Sequence, residues 1–273
     1  MAGKGLSLDR LASFLAVVEA GGIARAAPGQ PVRQSQLSRQ VGELERALGV
    51  ALFERGTQGP RVPSPAGARL ACLARDFHRG LDDVSRADAG PLAIALGAGD
   101  SAIHWLIAPI ARELPDVQVD VGARSTAEIV AELADGTIDA GVVRLSDAPS
   151  GGLKATRIGT LEYALFSPRG EHRPPLAVAT GEPALAPLLA SLGPARLRCE
   201  TFPQVAAAVR AGFAGVLPTI ARWYLGDVKR GPVLTASALG LAWRARLDDV
   251  RPALVPVRRR LADLLRSVLA KRA

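Results

Sequence analysis

Cysteine is nearly absent: Cys72 and Cys199 are the only two and stand far apart, so neither a disulfide framework nor a Cys-x-x-Cys metal motif can be built from them. That usage fits a reducing compartment. A redox switch would need the two thiols to meet, and two inert, partly buried cysteines are the plainer reading. Histidine is as sparse, and His78, His104 and His172 show no metal-ligand spacing. Neither metal nor cofactor is expected. Long apolar runs are missing too, so no segment reads as a membrane span, and the N-terminus lacks the basic head, apolar run and small-residue cleavage site of a secretory signal. The expected location is the cytoplasm, with no membrane partner. Lysine is scarce as well, with Lys4, Lys154, Lys229 and Lys271 the only ones among 34 basic residues. The net charge of +8 is therefore carried by arginine, whose guanidinium suits bidentate contact with phosphate or guanine. Excess positive charge favours an anionic partner. A GC-rich coding bias, suggested by the abundance of Ala and Gly, would give the same arginine excess.

What is present is enough for one large domain or two smaller ones, since 48% of 273 residues are apolar. Leu8, Leu11, Leu15 and Val18, widened by Phe14 and Val17, mark an amphipathic helix that stops at Gly21 and Gly22. A short Ile23–Ala27 turn follows, broken by Pro28, Gly29 and Pro31. The next helix is expected to begin near Gln34, with Leu37, Val41, Leu44 and Leu48 as its seam and Gly49 as its stop. Such a triplet reads as a helix-turn-helix, and the Gly, Pro and Arg rich stretch 55–63 reads as a β-wing. Pro65 opens a further helix on which Leu70, Leu73, Phe77, Leu81 and Val84 form a narrow stripe suited to a second copy of the chain. Packing within its own domain is the alternative for that stripe.

Beyond Gly90 the pattern becomes strand (92–96), helix (101–114), strand (117–121), helix (127–134), strand (138–143), which implies a parallel sheet. A strand at 161–167 follows, then a second alternating block over 176–218 with a helix at 204–211. The chain finishes with a strand at 239–243 and an amphipathic helix over 257–270.

The stations Leu11, Phe14, Val18, Ala26, Ala27, Leu37-Ser38-Arg39-Gln40, Leu44-Glu45, Leu48-Gly49-Val50, Leu52-Phe53-Glu54-Arg55 and Pro65-Ala66-Gly67 resemble, without a gap, the N-terminal pattern of the LysR-type transcriptional regulators. The likeness continues in Pro109, Pro115, the 136–144 stretch GTIDAGVVR, and Val209-Arg210-Ala211-Gly212 running to Pro218. The resemblance implies an α/β protein with an N-terminal winged helix-turn-helix over 1–65, a dimerising linker helix over 66–89 and a regulatory domain over 90–273. That domain would consist of two subdomains, about 90–167 with 236–273 and about 168–235, like a type 2 periplasmic binding protein. It further implies a homodimer or homotetramer. The sequence departs from the pattern at Pro28 to Pro31, and at Arg33, which replaces a Ser or Thr cap worth about 1 kcal/mol. The regulatory domain is also short between Trp223 and Trp243.

Double-stranded DNA is the expected partner. Gln34, Ser35, Gln36 and Ser38 lie near the start of the recognition helix, where Gln can pair with adenine in bidentate fashion, and Arg39 would reach phosphate or guanine. Arg55 and Arg61 flank the wing and would contact the backbone or the minor groove. A merely solvated polar face is the bland alternative. A small-molecule effector, a carboxylate being the first candidate, is expected at helix N-termini beyond the strand ends. Ser101, Ser125, Thr126, Thr201 and Phe202, with Arg144 at a strand end, would form that site. Ordinary helix capping explains the same hydroxyls, and Asp100 would repel an anion unless it points away. A constitutive DNA binder without effector is the runner-up. Gly97-x-Gly99-x-x-Ala102 also matches a short dinucleotide fingerprint, but no catalytic constellation accompanies it, so no enzyme is expected. The triple arginine 258–260 has two readings, a second nucleic-acid contact or, more plainly, the solvated face of the terminal helix.

Overall fold

The computed structural model describes residues 6–54, 61–86, 90–147, 152–170, 173–182 and 185–271. They form two compact units, one helical apart from a single β-bridge and the other holding the named strands.

In the helical unit, α1 (Leu8–Glu19) begins at Ser7, whose hydroxyl accepts from the Arg10 N–H at 3.3 Å. α2 (Ile23–Ala26) is a single turn. Gly29, with φ of +70°, redirects the chain into α3 (Pro31–Leu48), which closes on Gly49 in the left-handed conformation. The helix thus starts three residues before the expected Gln34. Pro31 looks like a breaker in sequence, yet a proline in the first turn has no intrahelical N–H to lose. Leu37, Val41 and Leu44 are buried with Phe14, Val17, Leu52 and Phe53, each such side chain contributing about 1.5–3 kcal/mol. Phe53 meets Phe14 edge-on at 5.5 Å and bridges to Pro63. The Glu54 N–H donates to the Val62 carbonyl at 2.9 Å and so fixes the base of the wing. Arg55 and the rest of 55–60 lie outside the described residues, as does His172.

α4 (Pro65–Arg86) approaches this core through Gly67, where a Cβ would stand 1.9 Å from the Leu52 carbonyl oxygen. Only glycine fits that approach. Leu70 packs against the unit's own core, whereas Leu73, Phe77, Leu81 and Val84 are exposed. The apolar stripe read from the sequence therefore divides, its first member serving internal packing.

The other unit is built on one mixed sheet. β1 (Leu92–Ala98) lies between β2 (Val117–Ala123) and β3 (Ala140–Arg144), parallel to both. β5 (Leu176–Ala179) lies in the same way between β6 (Leu197–Cys199) and β7 (Ala214–Pro218). Between these parallel blocks run two long antiparallel strands, β4 (Leu153–Pro168) and β8 (Val228–Arg244), with β8 pairing β3 and β4 pairing β7. The full order is β2-β1-β3-β8-β4-β7-β5-β6. Both long strands exceed the expected 161–167 and 239–243. Their outer halves carry Lys154, Arg157, Lys229 and Arg230, so no apolar run marks them, and it is the ladder between the two strands that holds them extended.

Helices α5 (Asp100–Glu113), α6 (Thr126–Asp135), α7 (Ala186–Ser191), α8 (Phe202–Arg210), α9 (Arg222–Leu225), α10 (Leu247–Val250) and α11 (Leu254–Lys271) complete the unit. α11 starts earlier than the expected Val257 because Pro256 is again tolerated in a first turn. Leu261 and Leu265 of α11 share a core with Ile94, Leu96, Trp105 and Leu106. Polar staples reinforce it. Arg251 pairs with Asp139 at 3.0 Å, both side chains 2% exposed, and donates to the Ala93 carbonyl at 2.8 Å. Arg244 donates to the Ile138 carbonyl at 2.7 Å. The 258–260 arginines are not one solvated face: Arg258 is buried, lies 4.2 Å over the Trp243 ring and pairs with Asp248. A guanidinium stacked on indole while bonded to a carboxylate has its charge answered within the fold.

Candidate nucleic-acid interface and ligand cleft

α3 is held against α1 by polar contacts that sequence reading missed. Ser13 Oγ donates to Gln40 Oε1 at 2.5 Å, and Arg10 pairs with Glu43 at the same distance. With 40 and 43 turned towards α1, helical spacing leaves other residues for solvent. Ser35, Gln36, Ser38 and Arg39 are exposed. Arg39 has only a loose contact with Glu43 at 3.9 Å, its side chain 72% exposed. Ser35, Gln36 and Ser38 make no side-chain hydrogen bond to a described residue. Gln34 is different: its Nε2 donates to the Ala27 carbonyl at 2.7 Å and ties α3 to the end of α2. That bond uses one N–H of the amide and leaves its other N–H and Oε1 to the half-exposed side. Val32, 74% exposed, and the neighbouring Arg33 join the tip of the helix because α3 begins at Pro31. The misplaced helix start hid both. Arg61 is exposed with its guanidinium 5.5 Å over the Phe53 ring, which fixes the cation beside the wing base.

In the α/β unit a cavity of about 560 Å³ opens beyond the ends of β1, β2 and β3. Ser125, Thr126, Arg144 and Thr201 line it together with Asp100, Arg124, Glu128, Asp147 and Glu182. Two expected members are elsewhere. Ser101 is buried against the Tyr163 hydroxyl, whose pKa burial pushes up to about 12 against the opposing pull of that hydrogen bond. The Phe202 side chain is core, 5.9 Å from the Tyr163 ring, and its backbone N–H already donates to Asp100 Oδ2 at 2.7 Å.

Of those that do line the cavity, Ser125, Arg144 and Thr201 are engaged as well. Ser125 and Glu128 cap α6 reciprocally: the Ser125 N–H donates to Glu128 Oε2 at 2.7 Å and the Glu128 N–H to Ser125 Oγ at 3.2 Å. Hydrogen bonds to the Glu128 carboxyl from the Ser125 backbone N–H, and then from its side chain, hold that carboxyl below its ordinary pKa. Thr201 and Gln204 form the same box on α8. Arg144 donates to Asp147 at 2.9 Å and to Glu182 at 2.6 Å. The Arg144 hydrogen bond likewise lowers the Asp147 pKa. Glu182 stands 38 residues from Arg144, and no sequence signal joins them. The walls carry four carboxylates against two guanidiniums. That balance does not favour a carboxylate ligand.

The Gly97-x-Gly99-x-x-Ala102 turn does lie between β1 and α5, but Asp100 brings a negative charge to the place where a pyrophosphate would sit. Cys72 and Cys199 are both buried, and burial raises the Cys199 thiol pKa, keeping it protonated. Among the described residues no group of three His, Cys, Asp or Glu could hold a metal, and no helix is long and apolar enough to cross a membrane.

A family profile described as bacterial regulatory helix-turn-helix protein, lysR family, matches residues 8–68, and one described as LysR substrate binding domain matches 88–266. A probable RuBisCO transcriptional regulator from Porphyra purpurea is 30% identical over 177 residues, covering 60% of this chain and 55% of its own length. The chain thus spans about half the length of the curated relatives it matches. Among solved structures, full-length OxyR from Pseudomonas aeruginosa aligns over 99% of both chains at 20% identity and a TM-score of 0.69. ArgP from Mycobacterium tuberculosis aligns over 96% of both at 22% identity and a TM-score of 0.68. At such identities the structural likeness is one of fold.

Proposed function

The chain belongs to the LysR family of bacterial regulatory helix-turn-helix proteins, and we propose that it is a sequence-specific DNA-binding transcription regulator responding to a small molecule. The observation that carries this reading is the exposed row Ser35, Gln36, Ser38 and Arg39 on a helix fixed from behind by α1. A rigid helix presenting hydroxyl, amide and guanidinium groups is what base reading in the major groove requires. Arg61, with Arg55 of the wing, would add sequence-independent affinity through phosphate. The exposed side of α4 with Leu73, Phe77, Leu81 and Val84 would seat a second copy of the chain. The working compartment is then the cytoplasm, where the DNA is. The effector would lie in the cavity beside Ser125, Thr126, Arg144 and Thr201. A second reading, constitutive DNA binding without effector, is favoured by one fact: Arg144 is already paired on both sides.

The test is binding to a selected duplex and to random duplex at matched salt. Replacing Gln36→Ala and Arg39→Ala together should bring the two affinities to within a few-fold, since each lost base contact costs about 1–3 kcal/mol. An undiminished preference for the selected site would remove α3 from recognition.

A further inference from the structure

Asp100 is the first residue of α5, and its Oδ2 accepts the Phe202 N–H at 2.7 Å across a separation of 102 residues. Phe202 is in turn the first residue of α8. The N–H it offers is one of the donors a helix leaves without an intrahelical partner, at the end where the helix dipole is positive. An anionic ligand of this cavity would be held there. Thr201 and Gln204 cap α8 reciprocally and Pro203 has no N–H, which leaves the Phe202 N–H of the first turn to Asp100. Asp100 and Thr201 both line the cavity. Two further anion-binding groups of the cavity are answered from within too, the Ser125 N–H by Glu128 and the Arg144 guanidinium by Asp147 and Glu182.

We propose that Asp100 is the specificity-determining residue of this cleft: its carboxylate stands where a ligand carboxylate would stand, and so excludes one. This rests on the effector-cleft reading above and names its ligand class. A carboxylate arriving at the α8 N-terminus meets both an occupied donor and a like charge at contact distance. The ligand admitted presents a neutral or cationic group to that wall. Removing the Asp100 carboxylate frees the donor, and a small carboxylate from solution then takes its place.

The experiment is thermal unfolding of the full chain, wild type, Asp100→Ala and Asp100→Asn, in acetate or in chloride of equal ionic strength. Asp100→Ala should lower the midpoint by about 2–4 °C through the loss of one charge-assisted hydrogen bond. Acetate, but not chloride, should restore most of that shift by binding the folded state. Wild type, and Asp100→Asn whose amide oxygen still accepts, should ignore acetate. Calorimetric titration with succinate should detect at least ten-fold tighter binding to Asp100→Ala than to wild type. If Asp100→Ala does not fold, Asp100→Ser carries the same comparisons. An equal response of wild type to acetate, or no response of the Ala or Ser variant, overturns the proposal. Selective DNA binding by the wild-type chain is measured in parallel. Its presence without an acetate effect sinks the proposal alone, and its absence sinks the regulator reading.

Discussion

On α3 the groups able to recognise a partner, Ser35, Gln36, Ser38 and Arg39, stand in solvent, while on the cavity walls Ser125, Arg144 and Thr201 are each bonded to another residue of the same unit. The two regions have similar chemistry and opposite states of engagement. A DNA surface can afford free polar groups because water satisfies them until the duplex arrives. A recess between packed helices and a sheet cannot, since an unpaired polar group there costs about 1–3 kcal/mol. Ser125, Arg144 and Thr201 therefore arrive already paired, and a ligand must compete with internal partners that a duplex does not meet on α3. Internal pairing is a feature of the whole α/β unit, where Arg251, Arg258 and Arg244 are buried and bonded.

The largest effect should come from breaking that internal pairing. Arg251→Ala removes the guanidinium paired with the equally buried Asp139 at 3.0 Å, while the Ala95 N–H still donates to Asp139 Oδ2 at 2.9 Å. Loss of one member of such a pair costs about 3–5 kcal/mol, so the urea midpoint of the α/β unit should fall sharply. Adding Asp139→Asn should recover part of the loss by removing the stranded charge. Equal destabilisation of single and double variants would mean that packing, not charge, is what Arg251 supplies.

An intermediate effect tests the exposed side of the helical unit. Leu73→Asp places a charge in the middle of the apolar stripe on α4 without touching the buried residues of that unit, Leu73 being 49% exposed. If the stripe seats a second copy, light scattering should show the mass falling to that of one chain while helical circular dichroism is kept. An unchanged mass would leave the stripe as bare surface.

The sequence disclosed what depends on apolar periodicity and glycine. The α1 and α3 seams, the left-handed stop at Gly49 and the alternation that builds both parallel blocks are all readable from residue type. Gly67 shows how a motif position acquires its reason only in three dimensions, through the Leu52 carbonyl beside it. What escaped depends on partners distant in the chain. β4 and β8 hold each other through a ladder that leaves no apolar signature, and Arg144 finds Glu182 across the cavity. Proline misled at Pro31, where the first turn of a helix tolerates what its interior would reject. Among the cleft residues, the hydroxyls were recognisable as caps or ligands, and only the geometry shows Ser125 and Thr201 acting as caps.

The smallest effect concerns Asp116, which Arg260 meets bidentately with both N–O distances at 2.7 Å. The hydrogen bond from Arg260 lowers the Asp116 pKa from 3.8 to about 2. A carboxyl whose pKa is depressed by folding stabilises the fold above its ordinary value, and that contribution disappears as pH falls through the folded value. The window is thus between about pH 4 and pH 2, with no change expected near neutrality. Both side chains are largely exposed, at 46% and 59%, so the stabilisation is small and salt weakens it further. The measurement is a carboxyl-carbon titration by NMR, following Asp116 in wild type and in Arg260→Ala. A midpoint near 2 that moves back towards 3.8 in the variant would place Arg260 with the internally paired arginines of the α/β unit. A wild-type midpoint already near 3.8 would leave that guanidinium free in solution, and the contrast between the two units would then stop short of the surface of α11.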